Sequence, residues 1–131
     1  MEIVRNFFIT FAVFMGIDLV WLGLVARKFY QQQLGSLMRS QTNWPVAIAF
    51  YAIYNFALYL VVIRPALDRG SWQTALLHGL AYGLITYMTY DLTNLSTLKD
   101  WPVLLTVVDI LWGTALAGTV AFLSYTIIRL F

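Results

Sequence analysis

The sequence predicts an all-α integral membrane protein: a four-helix bundle in up-down-up-down order, with both termini on the same side of the bilayer. Hydrophobic residues make up 61% of the 131-residue chain and charged residues only 11%, whereas soluble domains carry about 25% charged residues. Four apolar runs, at residues 7–26, 45–63, 72–90 and 102–128, are joined by short connections. Each run is long enough to cross a hydrocarbon core of about 30 Å, so we expect one transmembrane domain over residues 1–131.

The first run, residues 7–26, lies between Arg5 and the pair Arg27-Lys28. A cleavable signal peptide is the alternative, but its hydrophobic region is shorter, about 7–15 residues, and a small-residue cleavage site follows it. No such site follows Arg27, and Asp18 in the middle of the run also argues against cleavage. We therefore expect a retained membrane helix.

The second run opens with Asn43-Trp44-Pro45, where Asn can cap a helix, Trp can sit among head groups and Pro is tolerated in the first turn. We expect it to end before Pro65, because the residue preceding a proline disfavours helical geometry. Before this run, residues 27–43 form either a short amphipathic helix in the membrane interface or a solvated loop.

The third run contains Gly79 and Gly83, four residues apart, a spacing that would let another helix approach closely. A polar loop, residues 91–100, is expected to connect it to the fourth run. In that loop Asp91, Thr93 and Asn94 form a candidate polar turn for a head group or a cation. Helix capping by the same residues is the alternative.

The eight Lys and Arg residues divide four and four between the two predicted sides, so charge bias gives no orientation. Either other features fix one orientation, or the chain inserts both ways and pairs as an antiparallel homodimer. The net charge is +2, and the Lys and Arg residues are scattered among short loops without forming a basic stripe. We therefore expect the lipid bilayer as a partner and no nucleic acid.

Several kinds of chemistry are excluded by composition. The chain has no cysteine, which excludes thiolate metal sites, disulfides and cysteine nucleophiles, and its one histidine, His78, excludes sites that need two imidazoles. His78 could relay protons or ligate haem, although a hydrogen-bonded histidine inside a bundle is the commoner case. No phosphate loop, nucleophile elbow or metalloprotease motif is found. We expect no cofactor and no metal, and the sequence favours a protein that is not an enzyme.

Two acids within the apolar runs are predicted to lie at matched depth. Asp18 is nine residues before Arg27 and Asp109 seven residues after Pro102, which places them ~13 Å and ~10 Å below the same surface. Asn55 falls close to that layer. Because an acid in hydrocarbon is costly, it usually has a functional role.

The candidate ligand- or proton-binding residues are those that share this layer or stand about one helical turn from one of its members. They are Asp18, Asp109, Asn55, Trp21, Trp112 and Tyr51. Such a pocket suits proton-coupled transport, binding of a cation against aromatic walls, or acid–base chemistry on a lipid. Alternatively, each Asp serves only as a structural clamp that bonds an indole or phenol across the bundle.

Several motifs together resemble the family named domain of unknown function 2177. They are Asp18-x-x-Trp21-Leu22-Gly23, Phe29-Tyr30 with Leu34-Gly35, Phe50-Tyr51-x-x-Tyr54, Tyr90-Asp91-Leu92-Thr93-Asn94-Leu95 and Asp109-x-x-Trp112-Gly113. The resemblance implies a bacterial inner-membrane protein with four helices. It brings no established activity, so no catalytic residue is implied.

Taken together, the residues predict a pocket built on Asp18 and Asp109 that binds or transports a small or lipid-like ligand, with proton coupling as one option. A lipid-modifying membrane enzyme or its accessory subunit, and a purely structural membrane partner, are the alternatives.

Overall fold

The computed structural model describes residues 2–131, and every regular element in that range is helical. Six α-helices follow one another: α1 (Glu2–Val20), α2 (Arg27–Leu34), α3 (Trp44–Leu58), α4 (Arg64–Arg69), α5 (Trp72–Thr97) and α6 (Val103–Ile128). Wider π-helical turns extend α1 over Trp21–Val25 and join α3 to α4 over Tyr59–Ile63. The predicted all-α class is confirmed.

Three continuous helical stretches are long and apolar enough to cross a membrane, judged by length and composition: Glu2–Val25, Trp44–Arg69 and Val103–Ile128. They contain the whole of the second predicted run and all but one terminal residue each of the first and the fourth. The third run lies in α5, a 26-residue helix that is not among the three. Polar residues such as Gln73, His78 and Asn94 make α5 less apolar than the other long helices.

The start of α3 follows the prediction, but its end does not. The Asn43 side chain accepts a hydrogen bond from the Val46 N–H at 3.4 Å, and Pro45 lies in the first turn. The helical path then continues past Pro65 to Arg69. The π-helical turn that precedes α4 changes the hydrogen-bond register, so Pro65, which has no N–H, falls in the first turn of α4, where a proline is tolerated.

The predicted loop at residues 91–100 is wrong over most of its length, because α5 continues to Thr97. No Gly or Pro interrupts residues 91–97. The hydroxyls in this stretch donate within the helix: Thr93 Oγ1 to the Tyr90 carbonyl at 3.0 Å and Thr97 Oγ1 to the Thr93 carbonyl at 2.8 Å. Thr93 and Asn94 therefore belong to a helix and not to a turn.

Residues 27–43 are in part helical. α2 is followed by a single 3₁₀ turn at Gly35–Leu37, and the chain then runs without regular structure to Asn43. Of the two alternatives left open for this segment, the helix is present. Its position at a membrane interface stays a prediction.

The closest packing in the molecule is the seam between α5 and α6. A Cβ atom added to Gly79 would lie 2.7 Å from Cβ of Ala121 and 2.9 Å from the carbonyl oxygen of Ala117, and one added to Gly83 would collide with the Gly113 carbonyl oxygen. Glycine is thus required where the two backbones approach, and the close approach expected at Gly79 and Gly83 is confirmed.

A hydrophobic core adjoins this seam. α6 packs against α1 as well as α5, and the π-helical turn between α3 and α4 contacts both α5 and α6. The fully or almost fully buried side chains of the core are Phe14, Leu58, Val62, Ile63, Leu116 and Val120. We call the seam and this core together the packed half.

Candidate ligand-binding cavity

A cavity of about 570 Å³ opens among α1, α2, α3, α5 and α6, in the part of the molecule away from the packed half. Three aspartates line it: Asp18, Asp91 and Asp109. Much of the remaining wall is aromatic, formed by Tyr30, Trp44, Tyr51, Tyr87, Tyr90, Trp101 and Trp112. The volume falls among those of pockets that bind small molecules, about 300–1,000 Å³. We call this region the open half.

Asp18 is buried and fully hydrogen-bonded by two of its predicted neighbours. Its Oδ1 accepts a hydrogen bond from the Trp112 indole N–H at 3.2 Å, and its Oδ2 accepts one from the Tyr51 hydroxyl at 3.3 Å. These three residues come from α1, α6 and α3. The structure therefore brings together three of the six side chains that the sequence predicted for one layer.

Asp109 is held by a chain of donors from the end of α1 and from α2. The Tyr30 hydroxyl donates to Asp109 Oδ1 at 2.7 Å, and the Trp21 indole N–H donates to the Tyr30 oxygen at 3.2 Å. Trp21 also stacks on Trp112, with ring centroids 4.3 Å apart and planes 11° from parallel. The π-helical turn that begins at Trp21 thus connects the partners of both acids.

The protonation of Tyr30 follows from its surroundings. Burial, and next the nearby Asp109 carboxylate, raise the pKa of the Tyr30 hydroxyl well above its ordinary value. The hydroxyl consequently stays protonated at neutral pH and remains a donor to Asp109. α2 is in this way attached to α6 through a single short hydrogen bond.

Asp91 differs from the other two acids. Its side chain is fully buried, yet within residues 2–131 neither carboxyl oxygen has a hydrogen-bond partner. Asp109, on the adjacent helix α6, lines the same cavity. The sequence placed Asp91 in a polar loop, whereas the structure places it in the cavity wall.

The other predicted site residues lie outside the wall. Asn55 is buried behind it, where its Nδ2 donates to the Tyr51 carbonyl at 2.8 Å. Trp21 supports the wall through Tyr30 and Trp112 without lining it. Thr93 and Asn94 are on the last turns of α5 and do not line the cavity, and His78 is exposed.

Several aromatic wall residues, among them Tyr30, Trp101 and Trp44, were not predicted as site residues. Tyr30 is 79 residues from Asp109 in the chain and belongs to a segment whose structure was left open, so no local pattern related the two. Trp101 directly precedes Pro102, where the fourth predicted run begins. It lines the cavity, and its buried indole N–H has no acceptor within the described residues. Trp44, which was expected among head groups, also lines the cavity, from α3.

The charges around the cavity are predominantly negative. Of the described residues that line it, Arg27 is the one cationic side chain, and it is exposed. Within residues 2–131 no group of three His, Asp or Glu side chains is arranged to hold a metal ion. The arrangement can therefore hold a proton or a positively charged group beside aromatic faces.

The fold and the cavity together define a class: a helical protein with three membrane-length helices and an internal acidic, aromatic cavity. The family model described as "Predicted membrane protein (DUF2177)" matches residues 3–126, and the chain belongs to that family. This confirms the resemblance seen in the motifs. Comparisons with curated proteins and with solved structures find no match.

Proposed function

We propose that the chain crosses a bacterial inner membrane four times, up-down-up-down, and that its cavity binds a small or lipid-like amphiphile and carries it between the cavity and the bilayer or the aqueous phase. In addition to the three membrane-length stretches, α5 would be the third span in chain order; its 26 residues give it a length of about 39 Å. α5 packs along α6 more closely than any other pair of helices. That contact supports a membrane position for α5, because small residues that let two backbones approach closely are typical of helix contacts in membranes.

The observation that carries the proposal is the unpartnered carboxyl of Asp91. An acid removed from water costs free energy unless hydrogen bonds or an opposite charge compensate it. Asp18 has such compensation from Trp112 and Tyr51. Asp91 has none within the described residues and lines an open cavity, which supports compensation by a bound molecule.

The wall is suited to an amphiphile because its two kinds of surface are adjacent. Aliphatic side chains of α1 and α2, Met15, Leu19, Leu22 and Leu34, line the same space as the acids. An apolar tail buried against them gains about 0.8 kcal/mol per methylene group. A polar head would then lie among the carboxyl and phenol groups.

Filling the cavity tests this function. Ala47 lines the cavity on α3, and Ala81 is exposed on α5, so Ala47→Phe and Ala81→Phe form a matched pair. Binding of dodecylamine, dodecanol and dodecanoate to the full chain in phosphatidylcholine nanodiscs would be measured by calorimetry, with empty nanodiscs subtracted. At least one of the three should bind the wild type and the Ala81→Phe variant but not Ala47→Phe. Equal heats for all three proteins would contradict the proposal.

A structural role is the second candidate, and a specific observation favours it: Asp18 and Asp109 are both hydrogen-bonded across helices. In that case the acids only hold α1, α2, α3 and α6 together. None of the three amphiphiles would then bind, and replacing either acid would change stability alone.

A further inference from the structure

The surroundings of Asp91 indicate the charge of the ligand. The ionisable groups that face the cavity with it are Asp18 on α1, Arg27 and Tyr30 on α2, Tyr51 on α3, Tyr87 and Tyr90 on α5 itself, and Asp109 on α6. Arg27 is exposed, whereas the three aspartates are buried. The deep part of the cavity is therefore acidic, with no buried cation among the described residues to neutralise it.

Asp91 and Asp109 line the same cavity from the adjacent helices α5 and α6. Two carboxyls removed from water repel each other when both are ionised, so a bound positive charge relieves that repulsion. The Tyr30 hydroxyl donates to Asp109, whereas Asp91 has no donor within the described residues. Asp91 is therefore the carboxyl that most lacks a donor.

We infer that the ligand is an organic cation, a protonated amine on an apolar tail, which binds at Asp91 and Asp109. This inference rests on the proposed function, because it names the substrate class of the same cavity. Binding is noncovalent, and no bond in the ligand changes.

A protonated amine supplies the hydrogen-bond donors and the positive charge that the Asp91 carboxyl lacks within the described residues. Its N–H groups can donate to both Asp91 oxygens, which lack donors within residues 2–131. Its charge is also attracted by the faces of the tyrosine and tryptophan rings in the wall. A quaternary ammonium supplies the charge without the N–H donors, so it should bind more weakly than a primary amine with the same tail.

The head-group preference is tested with dodecylamine, dodecyltrimethylammonium, dodecanol and dodecanoate, which share one tail, on the full chain in phosphatidylcholine nanodiscs. We expect dodecylamine to bind about tenfold or more tightly than dodecanol. Dodecanoate should bind most weakly. If dodecanol or dodecanoate binds as tightly as the amine, the cation inference is overturned while the cavity function stands. If none of the four binds, the proposed function fails as well.

The role of Asp91 is tested with Asp91→Asn, using Asp100→Asn as the matched control. Asp100 is an exposed acid outside the cavity with a φ of 62°, a conformation that Asn tolerates well. Asp91→Asn should weaken dodecylamine binding by about tenfold or more and leave dodecanol binding unchanged. Because dodecanol binding reports an intact cavity, a loss of both ligands identifies misfolding, and Asp91→Glu should then restore the preference for the amine. Failure of Asp91→Glu to do so, or unchanged amine binding by Asp91→Asn, would overturn the inference.

Binding of the cation at carboxylates is tested by pH, with dodecyltrimethylammonium as the ligand because its own charge does not titrate. Acid should weaken binding, because a protonated carboxyl no longer attracts the cation. The affinity should fall with acidification by up to about tenfold per pH unit, and the fall should be smaller in Asp91→Asn. An affinity that stays the same from roughly pH 9 down to pH 4 would overturn the inference.

Discussion

The packed half and the open half of this molecule are built from the same helices but differ in packing: one is closely packed, and the other encloses a cavity. In the packed half, glycines let α5 and α6 meet at backbone distance, and a hydrophobic core fills the space beside them. In the open half, residues of the same two helices line a cavity of about 570 Å³ together with α1, α2 and α3, and three of its lining residues are aspartates. The wall is held by hydrogen bonds from Trp and Tyr side chains rather than by close packing.

This difference in packing suggests that one half of the chain mainly stabilises the fold and the other mainly binds the ligand. Close packing and interhelical contact contribute most of the stability of a membrane helix bundle. Buried acids that lack hydrogen-bond partners or an opposite charge do not add to this stability, and they usually have a functional role such as binding a ligand or a proton. Substitutions in the packed half should therefore change folding, and substitutions in the open half should change binding.

The largest effect is expected at the seam of the packed half. A methyl group at Gly83 would collide with the Gly113 carbonyl oxygen, which is backbone and cannot turn aside. Gly83→Ala should lower the free energy of unfolding by about 1–3 kcal/mol. The matched control is Gly16→Ala, because a methyl group there meets nothing within 4 Å. That change should raise stability by about 0.5–1 kcal/mol.

Thermal unfolding in detergent, followed by the helical circular dichroism signal, would compare these two variants. Equal melting temperatures for Gly83→Ala and the wild type would show that the seam is not closely packed, and the division into two halves would be lost.

A smaller effect is expected where α2 is attached to the open half. Tyr30→Phe removes the hydroxyl that donates to Asp109 and accepts from Trp21. A hydrogen bond to a charged group contributes about 1.5 kcal/mol or more, so stability should fall by roughly that amount. Proteolysis should also cut residues 27–43 faster in this variant. Wild-type stability and cleavage would contradict the attachment.

A still smaller loss is expected for Asp18→Asn. The amide oxygen can still accept one hydrogen bond, while the bond at the other oxygen, from Tyr51 or from Trp112, is weakened or reversed. Hydrogen bonds between membrane helices contribute about 0.6 kcal/mol on average, so stability should fall by about that amount. A loss several times larger would show that Asp18 is the main clamp of the cavity wall.

The smallest effect on stability is expected for Asp91→Asn. Unlike the other changes in the open half, it should not lower stability. This carboxyl has no hydrogen-bond partner to lose within the described residues, and the change removes an acid beside Asp109. The unfolding temperature should stay level or rise slightly, even though amine binding is lost. A destabilisation like that of Asp18→Asn would show that Asp91 has a structural partner after all.

Much of the helical framework, including the seam of the packed half, could be predicted from the sequence. Apolar runs predicted the helical class, the Asn43 cap and Pro45 predicted where α3 begins, and the spacing of Gly79 and Gly83 predicted a close helix contact. These features depend on neighbours in the chain or on one helix face, which a pattern can record. The continuation past Pro65 could not be predicted, because it depends on a π-helical turn before it.

The open half was predicted only in part. Depth counting placed Asp18 and Asp109 in one layer, and both line the cavity. It could not find Tyr30, whose contact with Asp109 depends on how α2 folds back over the bundle. Asp91 was assigned to a loop because Thr and Asn residues follow it, whereas α5 continues to Thr97 and the Thr hydroxyls are satisfied by carbonyls of the helix itself.

The central claim is that one half of the molecule is open to a ligand and the other is closed. The chain contains no cysteine, so single substitutions give unique labels: Ala47→Cys in the cavity wall and Ser124→Cys, fully buried in the packed half. A small, charged methanethiosulfonate reagent should modify Ala47→Cys, dodecylamine should protect it, and Ser124→Cys should stay unmodified in the folded protein. Equal modification at both positions, or labelling of Ala47→Cys that dodecylamine does not slow, would contradict the account.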